Sequence, residues 1–218
     1  MRLRHGTQGI PGQAAPDPLL KLGTARLYVI TPDATRERVL ELAKAAVRGG
    51  ADAIQLRHKS LPRGELLALA RDLRGIAGET LFIVNDHVDI ALLSGADGVH
   101  LGPDDLSVAS ARKVAGDRLI IGVSASSAEA VQPGADYVGC GPAFATPLKP
   151  QKQVIGPAGI AAVAATASMP VFAIGGIDET NLSQLTALGI RRACVIRAVS
   201  EAADPEQAVR RLRGMLTA

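Results

Sequence analysis

Hydrophobic and polar residues follow two different periods along this chain. Short apolar runs rich in Val, Ile and Leu are separated by stretches in which apolar residues recur every three or four positions. The short runs are typical of buried parallel strands, and the longer stretches of amphipathic helices. The first pair is a strand over 26–30 and a helix that begins after Thr35, with Val39, Leu42 and Val47 on one face. The pattern therefore predicts strands and helices in alternation.

The tripeptide Gly-Ala-Asp precedes three of the predicted strands, starting at positions 50, 95 and 134. Each glycine follows a helical stretch, where it favours the left-handed conformation that ends a helix. The apolar residues after the aspartate form the strand, and polar or glycine residues follow at its carboxyl end. We expect Asp52, Asp97 and Asp136 to be structural groups that hydrogen-bond to local backbone.

About eight strand–helix units account for the chain after residue 23. Strands are predicted over 26–30, 52–56, 81–84, 97–101, 118–123, 136–140, 170–174 and 192–196. The later helices are predicted over 62–76, 87–94, 107–114, 126–132, 157–166, 179–187 and 205–217. Such units close into a parallel barrel that builds active sites at the carboxyl ends of its strands. The predicted fold class is therefore α/β, a single (β/α)8 TIM barrel over residues 24–218, after a flexible N-terminal tail over residues 1–23.

Composition excludes several classes of function. Aromatic residues make up 2% of the 218 residues and the net charge is only +3, so we expect no nucleic-acid face. No apolar stretch approaches the roughly 20 residues of a membrane span, and Gly and Pro interrupt residues 1–23 where a secretory signal would be apolar. Cys140 and Cys194 resemble small buried hydrophobes more than a disulfide. We expect a cytoplasmic protein with an anionic small-molecule substrate; its oligomeric state stays open, a homo-oligomer included.

Polar side chains follow the second to the sixth predicted strands, where barrel closure would gather them at one mouth. They are Gln55, Arg57, Lys59, Asn85, Asp86, Asp104, Asp105, Ser124, Thr146 and Lys149. Cations facing carboxylates suit a diphosphate with a hard metal, because Mg²⁺ prefers one or two carboxylates together with phosphate oxygens and water. The arginine can grip phosphate in bidentate fashion, whereas the lysines act as point charges.

Several of these residues also have a plainer interpretation. Asp86 could be the N-cap of a helix that begins at His87, although its neighbours Asn85 and Asp105 on the same rim favour metal binding. The lysines alone would be ordinary solvated side chains. No histidine lies near Ser124 in its motif, which argues against a serine nucleophile. The histidines at 58, 87 and 100 lack metal-ligand spacing, so we interpret them as helix-terminal, surface or strand residues.

Two later segments point to phosphate binding and to a loop. Gly175 and Gly176 end the seventh predicted strand, where such barrels often bind phosphate through backbone N–H groups. A tight structural turn is the alternative. The segment 141–152 is rich in Pro and has no helical period, which indicates a functional or mobile loop that could carry Lys149 over the substrate.

Together these motifs resemble the thiamine phosphate synthase family, within a superfamily that also contains thiazole tautomerase paralogues. The resemblance covers nearly the whole chain after Leu22. It rests on Gln55–Arg57 with Lys59, Val84–Asp89, Gly95–Gly102 with Asp105, Gly122–Ala125, Asp136–Gly139, Gly141–Pro142 with Thr146 and Lys149, and Ile174–Ile177. It implies an enzyme that joins hydroxymethylpyrimidine diphosphate to thiazole phosphate and releases pyrophosphate.

The resemblance also implies roles for individual residues. Arg57, Lys59, Asn85, Ser124 and Lys149 would hold the diphosphate, Asp86 and Asp105 the Mg²⁺, Thr146 the thiazole, Gly175 or Gly176 its phosphate, and Gln55 would face the pyrimidine. We expect Arg57, Lys59, Ser124 and Lys149 to be catalytic. If the diphosphate departs before the thiazole nitrogen attacks, catalysis depends on stabilising the departing charge, and no protein base is required.

Four residues depart from the family pattern. Pro103 stands in place of Gln, Ser126 in place of His, Leu148 in place of Thr, and Arg197 in place of Ser. Arg197 could clamp the thiazole phosphate, or it could fill the pocket and change the substrate. A tautomerase-like enzyme and a non-catalytic protein that binds a thiamine precursor therefore remain alternatives, although neither would need the complete diphosphate and metal set.

Overall fold

Eight parallel strands close into a barrel in which each strand pairs with its neighbours along the chain and β8 pairs with β1. This computed structural model describes residues 17–147, 151 and 153–218. The strands are β1 (Leu27–Ile30), β2 (Ala53–Leu56), β3 (Leu81–Asn85), β4 (Gly98–Leu101), β5 (Ile120–Ala125), β6 (Tyr137–Cys140), β7 (Val171–Ile174) and β8 (Ala193–Val195). The predicted single (β/α)8 barrel is confirmed.

Helices cover the outside of the barrel. They are α1 (Pro18–Thr24), α2 (Arg36–Gly49), α3 (Arg63–Ala77), α4 (Val88–Ser94), α5 (Val108–Ala115), α6 (Gly156–Thr166), α7 (Leu182–Thr186), α8 (Arg197–Ser200) and α9 (Pro205–Thr217). The helix predicted over 126–132 is wrong, since that stretch consists of bends and turns. Ser126 and Ser127 at its start and Pro133 after it leave too few residues to offset the cost of helix nucleation. None of the described helices is both long and apolar enough to cross a membrane.

The aspartates of the Gly-Ala-Asp repeats connect neighbouring strands at their amino ends. One carboxylate oxygen of each accepts backbone N–H bonds of 2.7–2.9 Å from the start of the preceding strand. The pairs are Asp52 with Leu27, Asp97 with Phe82, and Asp136 with Ile121. Their predicted structural role is confirmed, but their main partners lie on another strand rather than in the local turn. Each aspartate thus aligns two adjacent strands.

An arginine from a surrounding helix pairs with each of these aspartates. Arg74 of α3 lies 2.7 Å from Asp97, Arg112 of α5 lies 2.9 Å from Asp136, and Arg213 of α9 lies 3.0 Å from Asp52. A carboxylate that accepts both backbone N–H and guanidinium bonds is held by charge-assisted hydrogen bonds. We call each aspartate with its backbone and arginine partners a clamp. The three clamps join two strands and one helix at three places around the barrel.

The barrel interior is filled by every second strand residue. Outward-facing residues pack against helices, whereas Tyr28, Tyr137 and Phe172 face inward with ring centroids 5.7–5.9 Å apart. A Cβ atom at Gly122 would lie 2.0 Å from the ring of Tyr137, so only glycine leaves room for this ring. Cys140 and Cys194 are free and buried, as predicted. Alternation along the strands therefore separates an inner core from the core beneath the helices.

Helix α1 packs against the amino end of the inner core. Leu22 is 3% exposed and belongs to the same apolar cluster as the inward-facing strand residues. Lys21 pairs with Glu79 at 2.7 Å, and the guanidinium of Arg192 donates to the carbonyl of Gly23 at 2.7 Å. The prediction of a flexible tail is therefore wrong for residues 18–23, because Leu22 shields apolar surface from water. Residues 1–16 of that predicted tail lie outside the described residues.

We predict that Leu22→Ala lowers the free energy of unfolding by about 2–4 kcal/mol, because it leaves a cavity under the barrel. Leu20→Ala in the same helix is the matched control, since Leu20 is 70% exposed. Its effect should stay within about 0.5 kcal/mol. Chemical denaturation of both variants measures the difference, and equal small losses would show that α1 is not part of the core.

Candidate active site

One lysine and two carboxylates meet above the carboxyl ends of β2, β3 and β4. Lys59 Nζ lies 2.5 Å from Asp86 Oδ2. Asp105 lies close enough to Asp86 for the two carboxyl groups to interact electrostatically, and its Oδ2 accepts the N–H of Gly102 at 2.7 Å. Barrel closure thus unites three of the predicted site residues from three separate loops. We call Lys59, Asp86 and Asp105 the charged cluster.

The backbone of Asp86 points its carboxylate toward this cluster. Its φ of 64° makes it the sole non-glycine residue with positive φ in the described part of the chain. Aspartate is among the residues that tolerate this conformation, which recurs at functional sites. Helix α4 begins at Val88 with His87 as N-cap, and no side chain caps it. The N-cap interpretation of Asp86 is therefore wrong, while the helix-terminal position of His87 is confirmed.

Negative charge is crowded in the charged cluster. Burial and the adjacent Asp86 carboxyl raise the pKa of Asp105, although the Gly102 N–H and Lys59 oppose this rise. Two close carboxylates repel each other unless a proton or a cation lies between them. Among the described residues, no three or more His, Cys, Asp or Glu side chains are grouped to hold a metal ion. The two carboxylates therefore fit a hard cation that takes its other ligands from phosphate and water.

Asp33 organises the loop that carries Arg57 and Lys59. Its Oδ1 accepts the backbone N–H of Lys59 at 2.6 Å, and its Oδ2 lies 3.1 Å from Arg57 Nη1. This role is not evident from the sequence pattern, because Asp33 lies in the turn before α2, where an aspartate is also typical of turns and helix caps. A usable signal was present, since Asp33 is a carboxylate in the loop after the carboxyl end of β1, at the same rim.

A cavity of about 530 Å³ lies over the carboxyl ends of β5 to β8. Predicted site residues in its lining are Ser124, Thr146, Gly175, Gly176 and Arg197. Pro103 also lines it and belongs to the same loop as Asp105 of the charged cluster. This volume is typical of small-molecule sites. The mouth of the barrel therefore has a charged half and a hollow half.

The remaining predicted residues lie at different depths. Asn85 ends β3 and is half-buried, whereas Gln55 is 2% exposed and lies inside the barrel. Arg197 stands at the start of α8, and its Nε donates to Glu201 at 2.8 Å, which raises the Arg197 pKa. Lys149, like Leu148, lies outside the described residues.

The Gly175-Gly176 turn is shaped by the loop after β6. Their φ values are 102° and 64°, and Phe144 N–H donates to the Gly175 carbonyl at 2.9 Å. A Cβ atom at Gly176 would lie 2.5 Å from the carbonyl oxygen of Ala145. The tight-turn interpretation is therefore confirmed, and the same turn brings both glycines to the cavity wall. The two interpretations of this motif are thus compatible.

A buried chain of hydrogen bonds runs from Gln55 to the cavity. Gln55 Nε2 lies 2.8 Å from Tyr28 Oη, which lies 2.9 Å from Tyr137 Oη. His100 Nδ1 lies 3.0 Å from Tyr137 Oη, and its Nε2 lies 3.0 Å from Ser124 Oγ. The motif around Ser124 contains no histidine, as the sequence indicates, but His100 lies beside this serine in space. The neighbouring strand β4 supplies one, which only the pairing of β4 with β5 makes visible.

Comparison with known proteins identifies the family. A profile of the thiamine monophosphate synthase family matches residues 27–199. The thiamine-phosphate synthase of Thermobifida fusca is 45% identical over 212 residues, which cover 91% of this chain and 95% of that protein. The thiamine-phosphate synthase of Thermosynechococcus vestitus is 42% identical over 200 residues, 89% of this chain but only 56% of that longer protein. The solved thiamine phosphate pyrophosphorylase of Pyrococcus furiosus superposes with a TM-score of 0.82 at 37% identity, covering 91% of this chain and 98% of that one.

We predict that Gly176→Ala destabilises the protein more than Gly189→Ala does. Both glycines have positive φ, 64° and 78°, so alanine strains the backbone similarly at each. Nothing lies within 4 Å of a Cβ atom at Gly189, whereas one at Gly176 would meet the loop after β6. The clash should add about 1–3 kcal/mol to the loss of unfolding free energy. Equal losses in denaturant titrations would show that this loop does not press on the turn.

Proposed function

Because this chain belongs to the thiamine monophosphate synthase family, we propose that it is a transferase that joins hydroxymethylpyrimidine diphosphate to a thiazole phosphate and releases pyrophosphate. Relatives named thiamine-phosphate synthase, at up to 45% identity, support this reaction. The observation that carries the proposal is the divided barrel mouth. The charged cluster suits a diphosphate, and the adjoining cavity has room for a second substrate.

Asp86 and Asp105 are the proposed Mg²⁺ ligands. When bound, the ion would neutralise charge on the diphosphate and on the departing pyrophosphate. Burial and the adjacent Asp86 carboxyl both raise the Asp105 pKa, and a cation between the two groups would favour their ionised forms. Lys59 has three ammonium protons and uses one on Asp86, which leaves donors for phosphate oxygens.

Arg57, Lys59, Asn85, Ser124 and Lys149 are the proposed contacts of the diphosphate. Their donors would stabilise the negative charge that develops as the C–O bond to the pyrimidine methylene breaks. The attacking thiazole nitrogen carries no proton, so the reaction requires no protein base. Gln55 is assigned to the pyrimidine, since its amide is buried inside the barrel.

Thr146, Gly175, Gly176 and Arg197 are the proposed contacts of the thiazole phosphate. All four line the cavity. The bond of Arg197 Nε to Glu201 orients the guanidinium and leaves its Nη groups for a bidentate phosphate contact.

The cytoplasm is the proposed compartment. Its reducing conditions suit the unpaired, buried thiols of Cys140 and Cys194.

A tautomerase-like enzyme and a non-catalytic precursor-binding protein are the alternatives. Neither activity needs a pair of carboxylates beside a lysine, and this chain retains that arrangement. The decisive experiment incubates the protein with both substrates, with Mg²⁺ or with a chelator, and measures thiamine phosphate and pyrophosphate. Absence of both products with Mg²⁺ would refute the synthase.

We predict that Asp86→Asn and Asp105→Asn each lower turnover at least about a hundredfold in saturating substrates and Mg²⁺, because each removes a charged metal ligand. Asparagine also tolerates the left-handed backbone of residue 86, so folding should be retained. Asp104→Asn is the matched control and should keep wild-type turnover. A similar loss at Asp104, or full activity in chelator, would remove the metal from the proposal.

We predict that Arg197→Ala raises KM for the thiazole phosphate about tenfold or more, because it removes a charge-assisted phosphate contact. KM for the pyrimidine diphosphate should change little. Arg211→Ala is the control, since Arg211 forms a comparable exposed pair with Glu179 at 2.7 Å outside the cavity. An unchanged KM for the thiazole phosphate in Arg197→Ala would show that this arginine does not bind the substrate.

A further inference from the structure

We infer that the buried hydrogen bonds linking Gln55, Tyr28, Tyr137, His100 and Ser124 run in one direction and preset the Ser124 hydroxyl as a donor to the diphosphate. We call these five residues the relay. Ser124 contacts the ligand in the proposed reaction, so the other four act on the diphosphate through it as positioning residues. This inference rests on the proposed function only for the identity of the anion.

The direction follows from the number of protons that each group carries. Gln55 Nε2 has protons to give and no lone pair to accept with, so it donates to Tyr28 Oη. Either hydroxyl could donate across the 2.9 Å between Tyr28 Oη and Tyr137 Oη; we assign Tyr28 as the donor, because its oxygen already accepts from Gln55 and Tyr137 Oη is the acceptor within reach of its single proton. Tyr137 accepts that bond and donates its own hydroxyl hydrogen bond to His100 Nδ1 at 3.0 Å.

The imidazole of His100 converts this order into a defined tautomer. Because Nδ1 accepts from Tyr137, the ring proton resides on Nε2, which donates to Ser124 Oγ at 3.0 Å. The hydroxyl proton of Ser124 is thereby directed away from His100. Since Ser124 lines the cavity, that proton is available for an oxygen of a bound anion. The opposite tautomer would turn the serine proton toward the ring and present only lone pairs to the anion.

Burial keeps the relay intact. Tyr28 and Tyr137 are 1% and 0% exposed, and burial raises the pKa of both phenols well above the usual value, so both retain their protons. An unpaired phenol proton in this interior would cost more than a made hydrogen bond contributes, which resists local reversal. Phe172 packs edge-on against both tyrosine rings and holds them in place without a polar atom.

The arrangement also explains why Ser124 is not a nucleophile although a histidine adjoins it. A serine nucleophile needs a histidine that accepts its proton, whereas in the relay His100 donates to the serine. The group behind the imidazole is a phenol that donates, not a carboxylate that accepts. The relay therefore makes Ser124 an electrostatic contact for a leaving group.

The first test determines the tautomer of His100 directly. Full-length protein labelled with ¹⁵N-histidine is studied by NMR at about pH 8, where an unperturbed imidazole is neutral. We expect a proton on Nε2 and an unprotonated Nδ1. A proton on Nδ1 overturns the relay. This measurement needs no substrate, so it stands apart from the synthase assay: a protein without synthase activity can carry the relay, and an active one can lack it.

The second test breaks the relay in the middle. Tyr137→Phe keeps the ring and removes the donor to His100 Nδ1, so His100 should lose its single tautomer. The variant protein should then bind inorganic pyrophosphate with Mg²⁺ about three- to tenfold more weakly than the wild type. Ser124→Ala should weaken binding at least as much. Phe172→Leu disturbs the same aromatic packing without removing a hydrogen bond, and should leave tautomer and affinity unchanged.

Two results of this series would overturn the inference. One is wild-type pyrophosphate affinity in Tyr137→Phe with an unchanged His100 tautomer. The other is an equal loss of affinity in Phe172→Leu, which would assign the effect to packing. If Tyr137→Phe does not fold, the wild-type tautomer alone decides the question.

Discussion

The register of the barrel strands is the constraint on which the rest of this structure depends. Side chains alternate between the two faces of a strand, so a slip of one residue would turn every inward side chain outward. Asp52, Asp97 and Asp136 oppose such slips, because each binds the backbone N–H groups that start a neighbouring strand. The clamps fix the register at the amino ends of the strands. That register then determines which side chains reach the barrel mouth at the carboxyl ends.

The inner core serves stability and the site together. The chain has few aromatic residues, yet three of them pack inside the barrel, where glycine at 122 makes room for one ring. Two of these rings carry hydroxyl groups that need partners in a dry interior. Their partners form the continuous path of hydrogen bonds from Gln55 to Ser124. The same hydrogen bonds therefore pair the buried tyrosine hydroxyls and orient a side chain of the cavity.

The barrel mouth separates two kinds of chemistry. The loops after β2 to β4 gather a lysine and two carboxylates, whereas those after β5 to β8 enclose a cavity with glycines and one arginine. In the proposed reaction this division places the leaving group and the second substrate side by side. Binding and electrostatic stabilisation then provide the catalysis, without a covalent intermediate on the protein.

The barrel, and the meeting of Asp86, Asp105 and Lys59 at one rim, could be predicted from the sequence, because both follow from strand period and from the rule that parallel strands end on the same side. The roles of the site residues remain predictions. The folded molecule was needed to show that α1 belongs to the core and that His100 meets Ser124. Both outcomes depend on contacts between distant segments, and periodicity along a chain records which face a residue takes but not which neighbour it meets there. The missing helix over 126–132 has a local cause instead, because helical period alone does not report whether so short a segment can offset the cost of nucleation.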